Sequence, residues 1–532
     1  QAAHRNEFGI QRGTFWSPKG RYLAFYRTDE SQIVDYEQVD SSKKTPQKKI
    51  IKYPFAGTAT DKVSIGIYDT QKDTVTYLPT DNTIDRYFTN LAWTPDEREL
   101  LVAELNREQD TCEIKAYNIK NRKVRTLFTE TSITYVEPEQ PPFFIDNHRF
   151  IWQSERTGHN HLYRYHLKNN SCKAITSGEW DVLKAYGYDE QRDKLIFAAN
   201  INSPLEKNLY QVSVASSKIE FLSSEPGQHT AQLSPSGQYV LDTYSNSTIP
   251  RKIDVINRIS KKSGNILSAT NPYVNRIMPK MLIGKIKAAD DSTDLYYRLT
   301  LPVNFNPEKK YPVIVVVYGG PHVQLVQNVW LGGSRGWEMY LAQQGYICFT
   351  LDNRGSANRG QAFEQVIYKQ VGNCEVADQL RGVEFLKHLP YVDATRMGVY
   401  GWSFGGFMVT SLLCRYPDVF KVGVAGGAVT DWSLYEAMYG ERYMQTPEKN
   451  PQGYAQSNVS NYVQNLQAKL LLIHGELDPI VVIEHAQQFI KAAENNKKNI
   501  DVWFYQKHGH NINGKDRVGL FERITKYFED NL

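Results

Sequence analysis

Two spacings of apolar positions divide the chain. Up to about residue 270 the apolar residues come in short alternating runs broken by turn residues; from about 275 they gather into continuous runs separated by amphipathic segments. In the first part a loose module recurs: "TFWSPKGRYLAFYR" from 14, "LAWTPDERELLVAEL" from 91, "FFIDNHRFIWQSERTGHNHLYRYHL" from 143, "YGYDEQRDKLIFAANINSPLEKNLYQVSV" from 186 and "AQLSPSGQYVLDTYS" from 231. Each carries a turn (SPKG, TPDE, IDNH, DEQRD or SPSG) and then a strand such as Tyr22–Tyr26, often followed by a second such as His161–Tyr165. A repeat of this size predicts blades of four short strands, a β-propeller, with an array of β-sandwiches as the competing architecture. About five blades are represented, whereas a closed ring of seven or eight needs more chain. An open ring exposes strand edges, so a partial propeller with roughly two or three blades upstream of Gln1 is expected.

The second part reads differently. "YPVIVVVYGGP" (311–321), "GYICFTLDNRG" (345–355), "RMGVYGWS" (396–403), "KVGVAGGAV" (421–429), "KLLLIHGELD" (469–478) and "IDVWFYQKHGH" (500–510) are apolar runs of the kind found in buried parallel strands. Amphipathic stretches such as "EVADQLRGVEFLKHL" (375–389) lie between them. Strand–helix alternation predicts a doubly wound α/β sheet. The expected division is a partial β-propeller over 1–270 and an α/β-hydrolase catalytic domain over 271–532.

The third of these runs carries the chemistry. Gly401-Trp402-Ser403-Phe404-Gly405 matches G-x-S-x-G between a strand and the apolar helix "FMVTSLL". Two glycines at that spacing allow a strained turn that lifts a serine hydroxyl above the sheet. A serine needs a base, and in α/β-hydrolases the acid and the histidine follow in that order on loops after later strands. Asp478 closes "LLLIHGELD" and His510 closes "WFYQKHGH". Glu476 and His508 are rivals two residues earlier; the last position of each segment lies clearest of its strand, which favours Asp478 and His510. The Phe404 N–H, after the nucleophile, is the expected oxyanion donor, and the "VYGGP" loop supplies a second.

Composition narrows the partners. With 532 residues, 41% hydrophobic and 23% charged, the chain is long enough for two or three globular domains. A formal charge of +4 over this length gives no reason to expect nucleic acid, and the basic run "KKTPQKKIIK" (43–52) reads as a solvated loop. No run of about 18 apolar residues is present, so no transmembrane segment is expected. The first residue is Gln and no signal peptide is visible, which points to a processed, trimmed or fragmentary chain. Five cysteines without CxxC spacing suggest neither a disulfide framework nor a zinc site, and at least one thiol is free or paired outside the chain. No metal or organic cofactor is implied.

With these residues placed, the chain resembles the prolyl oligopeptidase family of serine peptidases, in its dipeptidyl peptidase IV branch. The marks are "GWSFGGFM", "VYGGPH", "DNRGSANRG", "MYGERYM", "HGELDPIVV" and "GTFWSPKGRYLAFYR", spread over nearly the whole chain. Within the branch the wording is most similar to the bacterial prolyl tripeptidyl peptidases. The resemblance implies a triad of Ser403, Asp478 and His510 and a second oxyanion donor in the Tyr318 hydroxyl. It also implies a proline-ring (S1) pocket of Val429, Trp432, Tyr435, Tyr439 and Val481 beside Phe404. A rigid apolar ring suits an aromatic-lined slot.

Two positions depart from the dipeptidyl pattern. The family's Glu-Glu pair before the "WWSP"-like strand is "HRNEFGI" here, with only Glu7 acidic, and Ile480 replaces an Asn that contacts the P2 carbonyl. By similarity to the tripeptidyl enzymes, Glu7 and Glu436 are expected to anchor the substrate ammonium. The expected activity is release of Xaa-Xaa-Pro tripeptides from free N-termini, with dipeptide release, a carboxylesterase or lipase, and an inactive binding homologue as alternatives. The family also implies peptide substrates with proline near the N-terminus, a secreted, periplasmic or cell-surface location, and a homodimer as one admissible assembly.

Overall fold

The continuous apolar runs of the second part become strands of one eight-stranded sheet. In this computed structural model, which describes residue 10 and residues 12–81 and 83–532, the chain falls into two units. One holds the described residues up to Ile33 with Ala59–Ala269 and Asn358–Gln365; the other holds Val34–Thr58, Thr270–Ala357 and Val366–Leu532. A short early segment thus belongs to the C-terminal unit, and a short late segment to the N-terminal one.

The sheet of the C-terminal unit comprises β1 (Met281–Lys287), β2 (Asp294–Thr300), β3 (Tyr311–Val316), β4 (Ile347–Leu351), β5 (Val392–Trp402), β6 (Val422–Gly426), β7 (Lys469–Gly475) and β8 (Asp501–Tyr505). Their order is β1-β2-β4-β3-β5-β6-β7-β8. β1 and β2 pair antiparallel, as do β2 and β4, and all other neighbours are parallel. Alternate residues of each strand serve opposite faces. On one face Ile314, Cys348, Tyr400, Val424 and Ile473 pack with Leu341 of the helix Gly336–Gln343 and with Leu520, Ile524 and Phe528 of the helix Asp516–Asn531. On the other, Phe349 meets Phe385 of the helix Cys374–Lys387 at 6.3 Å between ring centroids, and the helix Phe404–Arg415 packs on β5 and β6. Helices on both faces explain why β4, β6 and most of β7 are buried throughout. β1 is half exposed, so its apolar content is too thin to read as a buried strand.

The N-terminal unit contains five four-stranded antiparallel sheets. The turns named above close them: Gly20 N–H donates to Ser17 O, Glu97 N–H to Thr94 O and Gly237 N–H to Ser234 O, each at 2.9 Å. Neighbouring sheets share apolar layers. In the fourth sheet Leu195, Phe197 and Ala199 pack towards Ile151 and Leu162 of the third, while Ile196 and Ala198 pack towards Ala231 and Val240 of the fifth. That sheet buries both faces, unlike a sheet in a simple two-layer sandwich.

Between the second and third strands of the first sheet the chain makes a two-stranded excursion, Asp35–Asp40 paired antiparallel with Gln47–Lys52. The lysine-rich run expected to be a solvated loop therefore contributes a strand. Its outer face pairs Lys48 with Glu37 at 2.7 Å and Lys52 with Asp35 at 2.6 Å; its inner face buries Tyr36 and Gln38. All five cysteines are unpaired.

Candidate active site

β5 ends at Trp402, and the next helix starts at Phe404. Ser403 alone makes the turn, at φ 61° and ψ −120°, a region costly for a residue with a side chain. The surrounding backbone forces the two glycines. A Cβ on Gly401 would lie 2.2 Å from Gly405 O, and one on Gly405 would lie 2.4 Å from Val317 O. The turn is held by Ser403 N–H donating to Gly426 O at 2.8 Å and Phe407 N–H donating to Ser403 O at 3.1 Å. The Phe404 amide opens the helix, where N–H groups have no intrahelical acceptor.

Asp478 lies in the loop after β7 and is 1% exposed. Its Oδ1 accepts the N–H groups of Ile480 (2.9 Å) and Val481 (3.0 Å), and its Oδ2 accepts from His510 Nδ1 at 2.7 Å. With Nδ1 carrying the proton, Nε2 of His510 is left as a base. Trp402 Nε1 donates to His510 O at 2.9 Å, tying the histidine loop to the elbow. The rivals have other partners: Glu476 accepts from the Ser41 hydroxyl, and His508 meets Asp516 at 2.7 Å. Ser403, His510 and Tyr318 line one cavity of about 430 Å³.

The five residues expected for the proline pocket are all at most 5% exposed, and three of them, Trp432, Tyr435 and Tyr439, cluster beside Phe404. Trp432 lies 5.6 Å from Phe404, 5.2 Å from Tyr435 and 6.2 Å from Tyr439, centroid to centroid. The segment "DWSLYEAMY" is not one helix. A short turn ends at Leu434, Tyr435 and Glu436 are extended, and the helix Ala437–Met444 follows. The break occurs where the excursion's end pairs with it: Ala56 N–H donates to Tyr435 O at 3.0 Å, and Ala437 N–H to Pro54 O at 2.8 Å. Glu436 is 2% exposed at this junction. Glu7 lies outside the described residues.

Sequence reasoning missed the excursion itself. It lies along the acid loop and bonds to it repeatedly. Ser41 donates to Glu476, Gln38 Nε2 to Asp478 O at 3.0 Å, the Tyr53 hydroxyl to Ile480 O at 2.7 Å and the Tyr36 hydroxyl to Glu484. Two buried histidines were missed as well. His474 Nε2 meets Val481 O at 2.8 Å, and burial lowers its pKa. His485 Nδ1 accepts the Thr430 N–H at 3.2 Å, and burial pushes its pKa down to about 3. Both are neutral props beneath the loop rather than bases. The "IHG" at the end of β7 was the available signal for the first. Among the described residues no group of three or more His, Cys, Asp or Glu is placed to hold a metal, and no helix is long and apolar enough to cross a membrane.

Comparison with known proteins follows the same division of the chain. The model of the dipeptidyl peptidase IV N-terminal region matches residues 3–251, and that of the prolyl oligopeptidase family matches residues 334–532. A probable dipeptidyl-aminopeptidase B from Aspergillus oryzae is 31% identical over 559 residues, covering 97% of this chain and 61% of the relative. One from Uncinocarpus reesii is also 31% identical, covering 95% and 59%. The chain thus spans about three fifths of the length of these curated relatives. Among solved structures, a putative dipeptidyl aminopeptidase IV from Bacteroides ovatus superposes with a TM-score of 0.97 at 45% identity, covering all of this chain and 78% of that one. Dipeptidyl peptidase 4 from Porphyromonas gingivalis superposes with a TM-score of 0.94 at 31% identity, covering 100% and 76%.

Proposed function

The chain belongs to the prolyl oligopeptidase family of serine peptidases, and from that premise we propose that it is an exopeptidase removing Xaa-Pro dipeptides from the free N-terminus of peptides. The observation that carries the reading is the elbow. A serine at positive φ faces a cavity that also holds an imidazole hydrogen-bonded to Asp478. In the proposed reaction His510 Nε2 takes the Ser403 proton as Oγ attacks the carbonyl carbon after proline. Asp478 fixes the tautomer and stabilises the imidazolium. The oxyanion is received by the Phe404 N–H and the Tyr318 hydroxyl. His510 then gives its proton to the leaving amine, and water, deprotonated by the same imidazole, releases the dipeptide from the acyl-enzyme.

Dipeptide release takes the place of the tripeptide release expected from sequence, because the relatives and the solved structures carry dipeptidyl names at up to 45% identity. Tripeptide release is the second reading. It is favoured by Ile480, whose side chain is apolar and whose backbone carbonyl accepts from the Tyr53 hydroxyl. Mass spectrometry of products from a free-amine peptide with proline at both the second and third positions decides between them. Dipeptides appearing first support the main reading, tripeptides the second, and equal cleavage of an N-acetylated peptide removes both. Serial stacking of the five sheets supports reading the N-terminal unit as propeller blades. A homodimer and a location outside the cytoplasm belong to the same proposal, and are checked by light scattering and by cell fractionation.

A further inference from the structure

Ser403 has a second side. The proline-pocket aromatics do not line the cavity at its hydroxyl, which runs instead from Trp402, Ser403 and His510 to Arg335, Asn513 and Arg517. Of the charged groups on its wall, Arg298 and Glu338 are paired at 2.7 Å and almost fully buried, so they cancel. Tyr400 is held neutral, its pKa pushed up to about 12 by burial. Arg335 and Arg517 differ. Both are exposed, and neither has an ion-pair partner among the described residues. Arg517 lies over the Phe521 ring at 5.9 Å, and the neighbouring acid, Asp516, is taken by His508. The wall therefore carries two uncompensated cations.

The direction of the cavity follows from the chemistry. If the proline ring fills the aromatic pocket, the other half of the scissile bond lies across Ser403. Its nitrogen must receive a proton from His510, so the leaving peptide passes beyond His510, where Asn511, Asn513 and Arg517 follow. We propose that this cavity receives the leaving segment, and that Arg335 and Arg517 select segments carrying a carboxylate close behind the cut. That carboxylate is either a chain terminus or an Asp or Glu side chain. At about 3.3 Å per extended residue, the first or second leaving residue brings such a group along the cavity. The inference rests on the exopeptidase reading.

The test uses one N-terminal acyl part with four leaving dipeptides: a neutral free acid, the same as an amide, an amide with Asp first, and an amide with Lys first. The two carboxylate-bearing substrates are expected to exceed the neutral amide in kcat/KM by about five- to tenfold, with the advantage falling as salt rises. Comparing the free acid with the Asp amide tells which carboxylate is preferred. In the double variant Arg335→Gln/Arg517→Gln the ratio should fall to about one, and in Arg335→Glu/Arg517→Glu the Lys substrate should lead. Equal rates for the neutral amide and both carboxylate-bearing substrates in the wild-type protein, or an advantage that survives both double variants, would overturn the inference while leaving the exopeptidase reading standing. Failure to cut any of the four would overturn both.

Discussion

Ser403 is the only residue between β5 and its helix, and its strained backbone has no structural task that a less costly turn would not perform. Ser403→Ala is therefore expected to keep the fold and to lower kcat by on the order of 10⁴-fold or more. His510→Ala should match that loss, whereas His508→Ala, which removes a partly exposed hydrogen bond with Asp516, should leave most activity. Steady-state kinetics on a chromogenic prolyl substrate reads all three, and the reverse order for the histidines would move the base to His508. Glu375 is a different case. It is wholly buried at the head of its helix, accepts the Gly372 N–H at 2.9 Å, and has its pKa pushed up by burial to about 8. An unfolded glutamate titrates near about 4.3. Between those values the native state keeps a proton that the unfolded state has lost. Stability from this group is thus full below about pH 4 and declines as pH rises towards about 8. Glu375→Gln keeps the shape and cannot ionise, so its Tm relative to wild type should climb steadily across that window. A difference independent of pH would mean that the carboxyl is already ionised in the native protein.

At the level of elements, the excursion over Asp35–Lys52 joins to the acid loop through side chains and backbone carbonyls. Gln38→Ala leaves the buried Asp478 carbonyl without its donor, at a cost of about 1–3 kcal/mol, and Tyr53→Phe frees the part-buried Ile480 carbonyl at a smaller cost. Each variant is expected to lower kcat severalfold with KM little changed, and to speed proteolysis within 476–484. Wild-type kcat and cleavage rates would mean that the loop keeps its shape unaided. The same element marks where sequence reading stopped. Most of the continuous runs were legible as strands because helices cover both faces, though the edge strand β8 has no fully buried residue, and the turn motifs of the first unit because Ser17, Thr94 and Ser234 accept the closing bonds. Asp478 and His510, which the structure joins by a hydrogen bond, stand out in the sequence because each closes such a run. The excursion was not, because its inward positions are Tyr36 and Gln38, so the alternation that would signal a strand is half polar. Its partners lie more than 400 residues away, beyond the reach of any local pattern. The break at Tyr435 and Glu436 was hidden for the same reason, since it bonds to Pro54 and Ala56, far away in the sequence.

On the scale of the whole molecule, the C-terminal unit takes in Val34–Thr58 from early in the sequence. A fragment covering 270–532 is expected to melt well below the full chain and to react poorly with a fluorophosphonate serine probe. Adding a linked copy of 34–58 should recover part of both; equal labelling of fragment and full chain would show the excursion to be dispensable. The arrangement also bears on how the protein is made. Tyr53 leaves the ribosome 427 residues ahead of Ile480, the group its hydroxyl finally meets. At about 5–20 residues per second that is a wait of roughly 20–85 s. Throughout it the segment, with Tyr36, Tyr53 and Phe55 and its row of lysines, has no docking surface of its own. A nascent chain of this design carries the segment unpartnered until the acid loop has followed it, 427 residues later.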